Sequence, residues 1–223
     1  MPTPVTVLVA VLLSAAVALA TPALLRRQPL PEDADDLPPF ADLATPRFRL
    51  AVLVVSALAT TLALLLTAPE HWAVWAPFTS LGALLVLVDL RTTYLPLRLN
   101  YLVLALSLAG AGVAAALTRT WQPLVGAAVT GAVAAGVLWL VWRASGGRLG
   151  FGDVRLAGLI GVVTGTQGLP LPVWAFVLGS ATGAVWGVVS WLRRGGDGAF
   201  PYGPALWLGP LLALLVRRAL LPG

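Results

Sequence analysis

The sequence predicts an all-α, polytopic membrane protein of about eight transmembrane helices, with both termini on the outer side. Hydrophobic residues make up 59% of the 223 positions and charged residues only 10%. Apolar runs of up to about 20 residues recur, a length that crosses a hydrocarbon core of roughly 30 Å. The runs are continuous rather than alternating, which excludes a β-barrel. The basic residues gather at the ends of the runs, as topology determinants do.

Eight spans follow in order: Pro4–Leu25, Phe48–Thr67, Val74–Val88, Leu99–Leu117, Leu124–Val141, Val154–Gly165, Val173–Leu192 and Ala205–Leu215. The sixth and eighth are short and need flanking residues to lengthen them. The first has a signal-like Ala18-Leu19-Ala20. No basic residue precedes it, however, and Arg26-Arg27 follows, so a retained helix is expected. All 14 basic residues are arginine. With the N-terminus outside, eleven of them fall on the inner side and only Arg119, Arg217 and Arg218 stay outside.

Between the first two spans, Arg26–Arg49 carries Glu32, Asp33, Asp35 and Asp36 among five prolines. It is too polar to form a core and reads as a flexible cytoplasmic loop. Residues 1–223 thus read as a single membrane-embedded domain, with loop 26–49 and a motif-bearing core at 81–212. Gly158, Gly161 and Gly165, and the four-spaced Gly179, Gly183 and Gly187, are expected to be helix contact faces. Trp72, Trp75, Trp121, Trp142 and Trp191 lie near span ends and fit an interfacial belt.

Composition also narrows the chemistry. Cysteine is absent, which excludes disulfides, a thiol nucleophile and a thiolate zinc site. The lone His71, beside Glu70, reads as a solvated loop histidine and cannot build a three-ligand metal centre. No cofactor or metal is expected. The arginines form no basic stripe with interleaved aromatics, so no nucleic-acid partner is expected either.

Two of the 9 acidic residues stand against apolar spans. Asp89 closes the third, and Asp153 opens the sixth within Gly150-Phe151-Gly152-Asp153-Val154-Arg155-Leu156. Ionisable groups at membrane depth are costly and usually functional. The arginine-derived orientation brings both to the cytoplasmic edge, and two carboxylates there can divide acid and base roles in peptide hydrolysis. Gly150 and Gly152 permit a tight turn and the approach of an extended chain. The alternative for Asp153 is a helix N-cap after a glycine loop.

The Gly150–Leu156 segment resembles the Gly-x-Gly-Asp-Val-Lys/Arg-Leu motif of the type IV prepilin peptidases. The segment Asp89-Leu90-Arg91-Thr92-Thr93-Tyr94-Leu95-Pro96-Leu97-Arg98-Leu99-Asn100 resembles the family's first-aspartate motif. Phe200-Pro201-Tyr202-Gly203-Pro204-Ala205-Leu206 resembles its Pro-Phe-Gly-Pro-x-Leu element, with Tyr202 in place of Phe.

The resemblance implies a catalytic pair, Asp89 and Asp153, with motif or substrate-binding residues Gly150, Gly152, Arg155, Pro96, Gly203 and Pro204. It implies an aspartic endopeptidase at the cytoplasmic membrane that removes basic leaders from prepilins or pseudopilins in pilus assembly or secretion. Its partners would be that substrate and the bilayer. Larger members carry a zinc-binding, cysteine-rich insertion where this chain has 26–49, and they methylate the product with S-adenosylmethionine. This chain has no cysteines and no glycine-rich cofactor fingerprint, so it is read as a peptidase and the methyltransferase activity is left open. Two alternatives stand: a presenilin- or signal-peptide-peptidase-like protease, since Pro204-Ala205-Leu206 spells their later element, and a non-catalytic proton- or cation-coupled transporter or scaffold.

Overall fold

A computed structural model describes residues 3–30, 37–146, 149–194 and 201–220. Its helices are α1 (Thr3–Arg26), α2 (Pro46–Leu66), α3 (Trp72–Thr92), α4 (Leu97–Thr118), α5 (Gln122–Ala144), α6 (Phe151–Gly165), α7 (Pro170–Arg194) and α8 (Gly203–Leu220). Each expected span has its helix, and no strand occurs among the described residues. Seven helical segments are long and apolar enough to cross a membrane, and the chain is a multi-pass membrane protein. The eighth, α6, has only 15 residues and is almost wholly buried. The acidic stretch Glu32–Asp36, Arg148 and Phe200 lie outside the described residues.

Helix α3 is the hub. It packs against α1, α2, α4 and α8, and two-thirds of its apolar window is buried. Helices α5 and α7 are buried over only 17% of theirs, and they pack on α6 and α8. Their outer faces carry exposed Val129, Val133, Val177 and Val185, a surface suited to lipid tails and not to water. Hydroxyl bonds tie the inner helices: Ser56 Oγ to Ser14 Oγ at 2.8 Å, Thr60 Oγ1 to Thr79 Oγ1 at 2.9 Å, and Thr130 Oγ1 to Gly161 O at 2.6 Å. In lipid such polar contacts supply the cohesion that a hydrophobic driving force supplies in water.

Three helices carry internal prolines: Pro22, Pro77 and Pro210. Each lacks the N–H that would bond the carbonyl four residues earlier, freeing Ala18 O, Ala73 O and Leu206 O. A neighbouring helix meets each one. Arg49 Nε donates to Ala18 O at 3.1 Å. Gly110 of α4 lies against Ala73 O, where a Cβ would collide with it. Gly179 of α7 lies against Leu206 O, where a Cβ would come within 3.2 Å. Only glycine brings one helix backbone that near another helix's freed carbonyl.

Several expectations are corrected. Segment 26–49 is not simply a flexible loop: residues 40–43 form a 3₁₀ turn whose Phe40 is 2% exposed, and Leu37, Leu43 and Ala44 pack on the core. Trp75 is a core residue and not a belt residue; Trp207 is buried as well, and its Nε1 donates to Phe78 O at 3.0 Å. Among the four-spaced glycines, Gly183 lies under the Tyr202 ring, while Gly187 faces open space and is no contact position.

Arg49 and Pro22 should therefore be energetically coupled. Arg49→Met should cost about 1 kcal/mol of stability by orphaning Ala18 O. It should cost clearly less in a Pro22→Ala background, where the introduced alanine supplies the missing N–H. Unfolding in detergent of the two single variants and the double variant reads the coupling; additive effects would contradict it.

Candidate active site

The site gathers where the end of α3 and the starts of α6 and α8 meet. Asp89 sits in the last turn of α3, inside the helix and not after it, and its carbonyl accepts Thr93 N–H at 2.7 Å. Asp153 is the third residue of α6 and not its cap. The capping position is Gly150, with no side-chain cap bond, which removes the N-cap alternative. Both carboxylates are buried, Asp89 to 3% exposure and Asp153 to 8%. Leu95 links their surroundings: it lies against Gly152, next to Asp153, and against Gly203, whose N–H bonds Asp89. Two buried acids this near each other cannot be accounted for as solvated surface charges.

Helix α8 supplies the first donor. Its first turn has N–H groups without intrahelical partners. The Gly203 N–H donates to Asp89 Oδ2 at 3.0 Å, across 114 positions of sequence. Gly203 is glycine for reasons of space: a Cβ there would fall 2.5 Å from Asp89 Oδ2 and 3.5 Å from Leu95 Cδ2. Pro204 follows it in the first turn, where its lack of an N–H costs nothing, and is buried. The bond marks Oδ2 of Asp89 as an acceptor and leaves Oδ1 for other partners. The carboxylate of Asp153 accepts no hydrogen bond among the described residues, so both of its oxygens are available.

Leu95 brings the α6 end into contact with the α3–α4 connection. A Cβ on Gly152 would lie 2.9 Å from Leu95 Cβ. Neither Gly150 nor Gly152 has a positive φ, so the expected need for unusual backbone is corrected: Gly152 makes room for Leu95, and Gly150 leaves space 3.5 Å from Asp153 Oδ2. The unusual backbone is at Thr93, a β-branched residue at φ +59°. Such a conformation is strained and clusters at functional sites. Here it turns the chain sharply after α3 so that Leu95 and buried Pro96 start the return into α4.

Arg155 points along a different side of α6. Its guanidinium carbon lies 4.8 Å from the Phe151 ring centroid and 6.0 Å from that of Tyr101, and its Nε is buried without a hydrogen bond. Phe151 is 40% exposed and Tyr101 51%, so the stack forms an accessible aromatic ledge beside Asp153. Tyr101 carried no sequence signal. Asn100 was visible only as a polar residue in a motif. It is fully buried with neither Nδ2 nor Oδ1 bonded, a costly state unless water or a ligand meets it. Among the described residues, no group of three or more His, Cys, Asp or Glu side chains is placed to hold a metal.

Comparison with known proteins agrees with this geometry. The model of the type IV leader peptidase family matches residues 76–188, about half the chain and a range that includes both Asp89 and Asp153. The chain belongs to that family of membrane proteases. No curated protein and no solved structure matches it. Gly203 and Pro204 lie beyond the matched range, and their link to the site rests on the Asp89 hydrogen bond.

Gly203→Ala should impair proteolysis by at least about tenfold by pushing the Asp89 carboxylate aside, with an overpacking cost of about 1–3 kcal/mol. Gly187→Ala, facing open space, should leave both unchanged. Turnover rates and unfolding midpoints of the two variants check this; equal activity would mean that the Gly203 contact does not hold Asp89.

Proposed function

We propose that the chain is an aspartic endopeptidase that removes basic leaders from prepilin- or pseudopilin-like substrates at the cytoplasmic membrane face. The observation that carries the reading is the meeting of two buried carboxylates from different helices, one held by the Gly203 N–H. Family membership supports leader proteolysis, and the arginine distribution supports an orientation with the site at the cytoplasmic side.

In this reading a water lies between Asp153 and Asp89. One carboxylate takes a proton from the water as it attacks the scissile carbonyl, while the other, protonated, donates to the carbonyl oxygen. The tetrahedral intermediate collapses as a proton passes to the departing amine, and the pair returns to its starting state. The Gly203 N–H keeps Asp89 turned toward the shared space. An extended substrate would run past Gly150, which is exposed. Arg155, steadied on the Phe151–Tyr101 ledge, would meet an acidic residue just after the cleavage point.

The test is a short substrate with a basic leader, a glycine and an apolar helix of about 20 residues. Purified protein should cut after the glycine, as read by sequencing the product terminus. Asp89→Asn and Asp153→Asn should each lower the rate by about 10²–10⁴-fold with expression and insertion intact. Substantial turnover by either variant would sink the catalytic pair, and cleavage within the apolar helix would make the enzyme a different intramembrane protease. Arg155→Ala should slow a substrate with the acidic residue more than one with it neutralised.

A further inference from the structure

The opposite end of the bundle holds a cavity that leader cleavage does not use. It measures about 580 Å³ and lies among the ends of α2, α4, α6 and α8 and the starts of α3 and α5. His71 lines it, and 18 positions of helix separate His71 from Asp89. At about 1.5 Å per residue the cavity is some 27 Å from the carboxylates. That distance puts it at the other membrane surface.

Its lining is rich in donors. Arg217 and Arg218 face one acidic side chain, Glu70, which leaves an excess of positive charge. Arg217 Nη1 donates to Gln167 Oε1 at 2.9 Å, which fixes the amide with its nitrogen unused. Gln167 Nε2 and His71 Nδ1 are both buried without a partner. Gly168, at φ +94°, makes the turn after α6 that presents Gln167. The Thr120 hydroxyl also lines it, but its proton goes to Thr118 Oγ1 at 3.2 Å, since Thr118 donates its own to Ala114 O. His71 is accordingly not the solvated loop residue expected from sequence: it lies in a 3₁₀ turn leading into α3 and is half-buried.

The arginine distribution points the same way. Arg217 and Arg218 are two of the three arginines that topology does not account for. Helix-end position alone would let them meet the last carbonyls of α8, yet Arg217 reaches across to Gln167 instead. Two guanidinium groups from successive residues with a spare amide N–H supply more donors than a carboxylate's two oxygens can use. They suit the three or four oxygens of a phosphate. A cavity of several hundred Å³ at the headgroup level is also of ligand size.

We propose that this cavity binds a phosphate group at the membrane surface opposite the carboxylate pair, through Arg217, Arg218 and Gln167. The group's source is either an anionic lipid headgroup or a free phosphate, and the two are separable.

The full chain is purified in detergent, supplied with phosphatidylglycerol, and examined by native mass spectrometry with and without millimolar inorganic phosphate. Wild-type protein should retain the lipid. R217Q/R218Q should retain it at least about tenfold less. Q167L, which keeps both arginines, should give a smaller loss, and it decides the matter if the double variant does not fold. R119Q, on the same surface but outside the lining, should match wild type. Lipid loss on adding phosphate, with phosphate-bound protein appearing, supports a site for free phosphate; undiminished lipid supports the headgroup. Retention in R217Q/R218Q and Q167L equal to wild type, an equal loss in R119Q, or no binding of either probe to wild type would overturn the proposal. Leader cleavage is not a readout, so this result stands apart from the catalytic reading.

Discussion

One backbone amide holds the arrangement together. Asp89 is a carboxylate inside a helix at membrane depth, where an unpartnered charge or polar oxygen is costly. The Gly203 N–H at the start of α8 meets it. This bond and the Trp207 indole on Phe78 O join α8 to α3 at two levels. With α8 set, Leu95 is confined between Gly203 and Gly152, and the start of α6 is brought to the end of α3. The nearness of the two acids follows from three backbones that come close because two positions lack a side chain.

The same economy governs the rest of the bundle. In hydrocarbon no water satisfies a carbonyl that a proline has freed. Each such carbonyl here faces a neighbouring helix: an arginine at Ala18, and glycines at Ala73 and Leu206. Arg49 thus ties α2 to α1, and glycines let α4 and α7 come close to α3 and α8 at the other two. Buried threonine and serine hydroxyls mostly bond the carbonyl four residues before them, and a few cross between helices.

Much of this was legible in the sequence because membrane physics writes it in one dimension. Span length and continuity marked eight helices with ends within a few residues, and the cost of a buried acid singled out Asp89 and Asp153. What was not legible depends on contacts between distant positions. Nothing near Gly203 says that its N–H reaches residue 89. Gly152 looks like a flexible turn residue, yet its function is to admit Leu95. Tyr101 is an ordinary aromatic until Arg155 lies over it. Phe40 sits in a proline-rich polar stretch whose local composition hides its burial. Trp75 misleads for a related reason: position along a span does not say which side of a helix faces lipid.

The central claim is that residues 89 and 153 share one site inside a single molecule. A natural absence of cysteine makes this directly measurable. D89C/D153C, treated in membranes with a short thiol-to-thiol crosslinker, should become internally bridged, as peptide mapping would show. T120C/D153C, with its two thiols at opposite ends of the bundle, should remain open. Bridging of the first pair alone is the predicted result; failure of D89C/D153C to bridge, with both thiols reactive to a monofunctional reagent, would contradict the account.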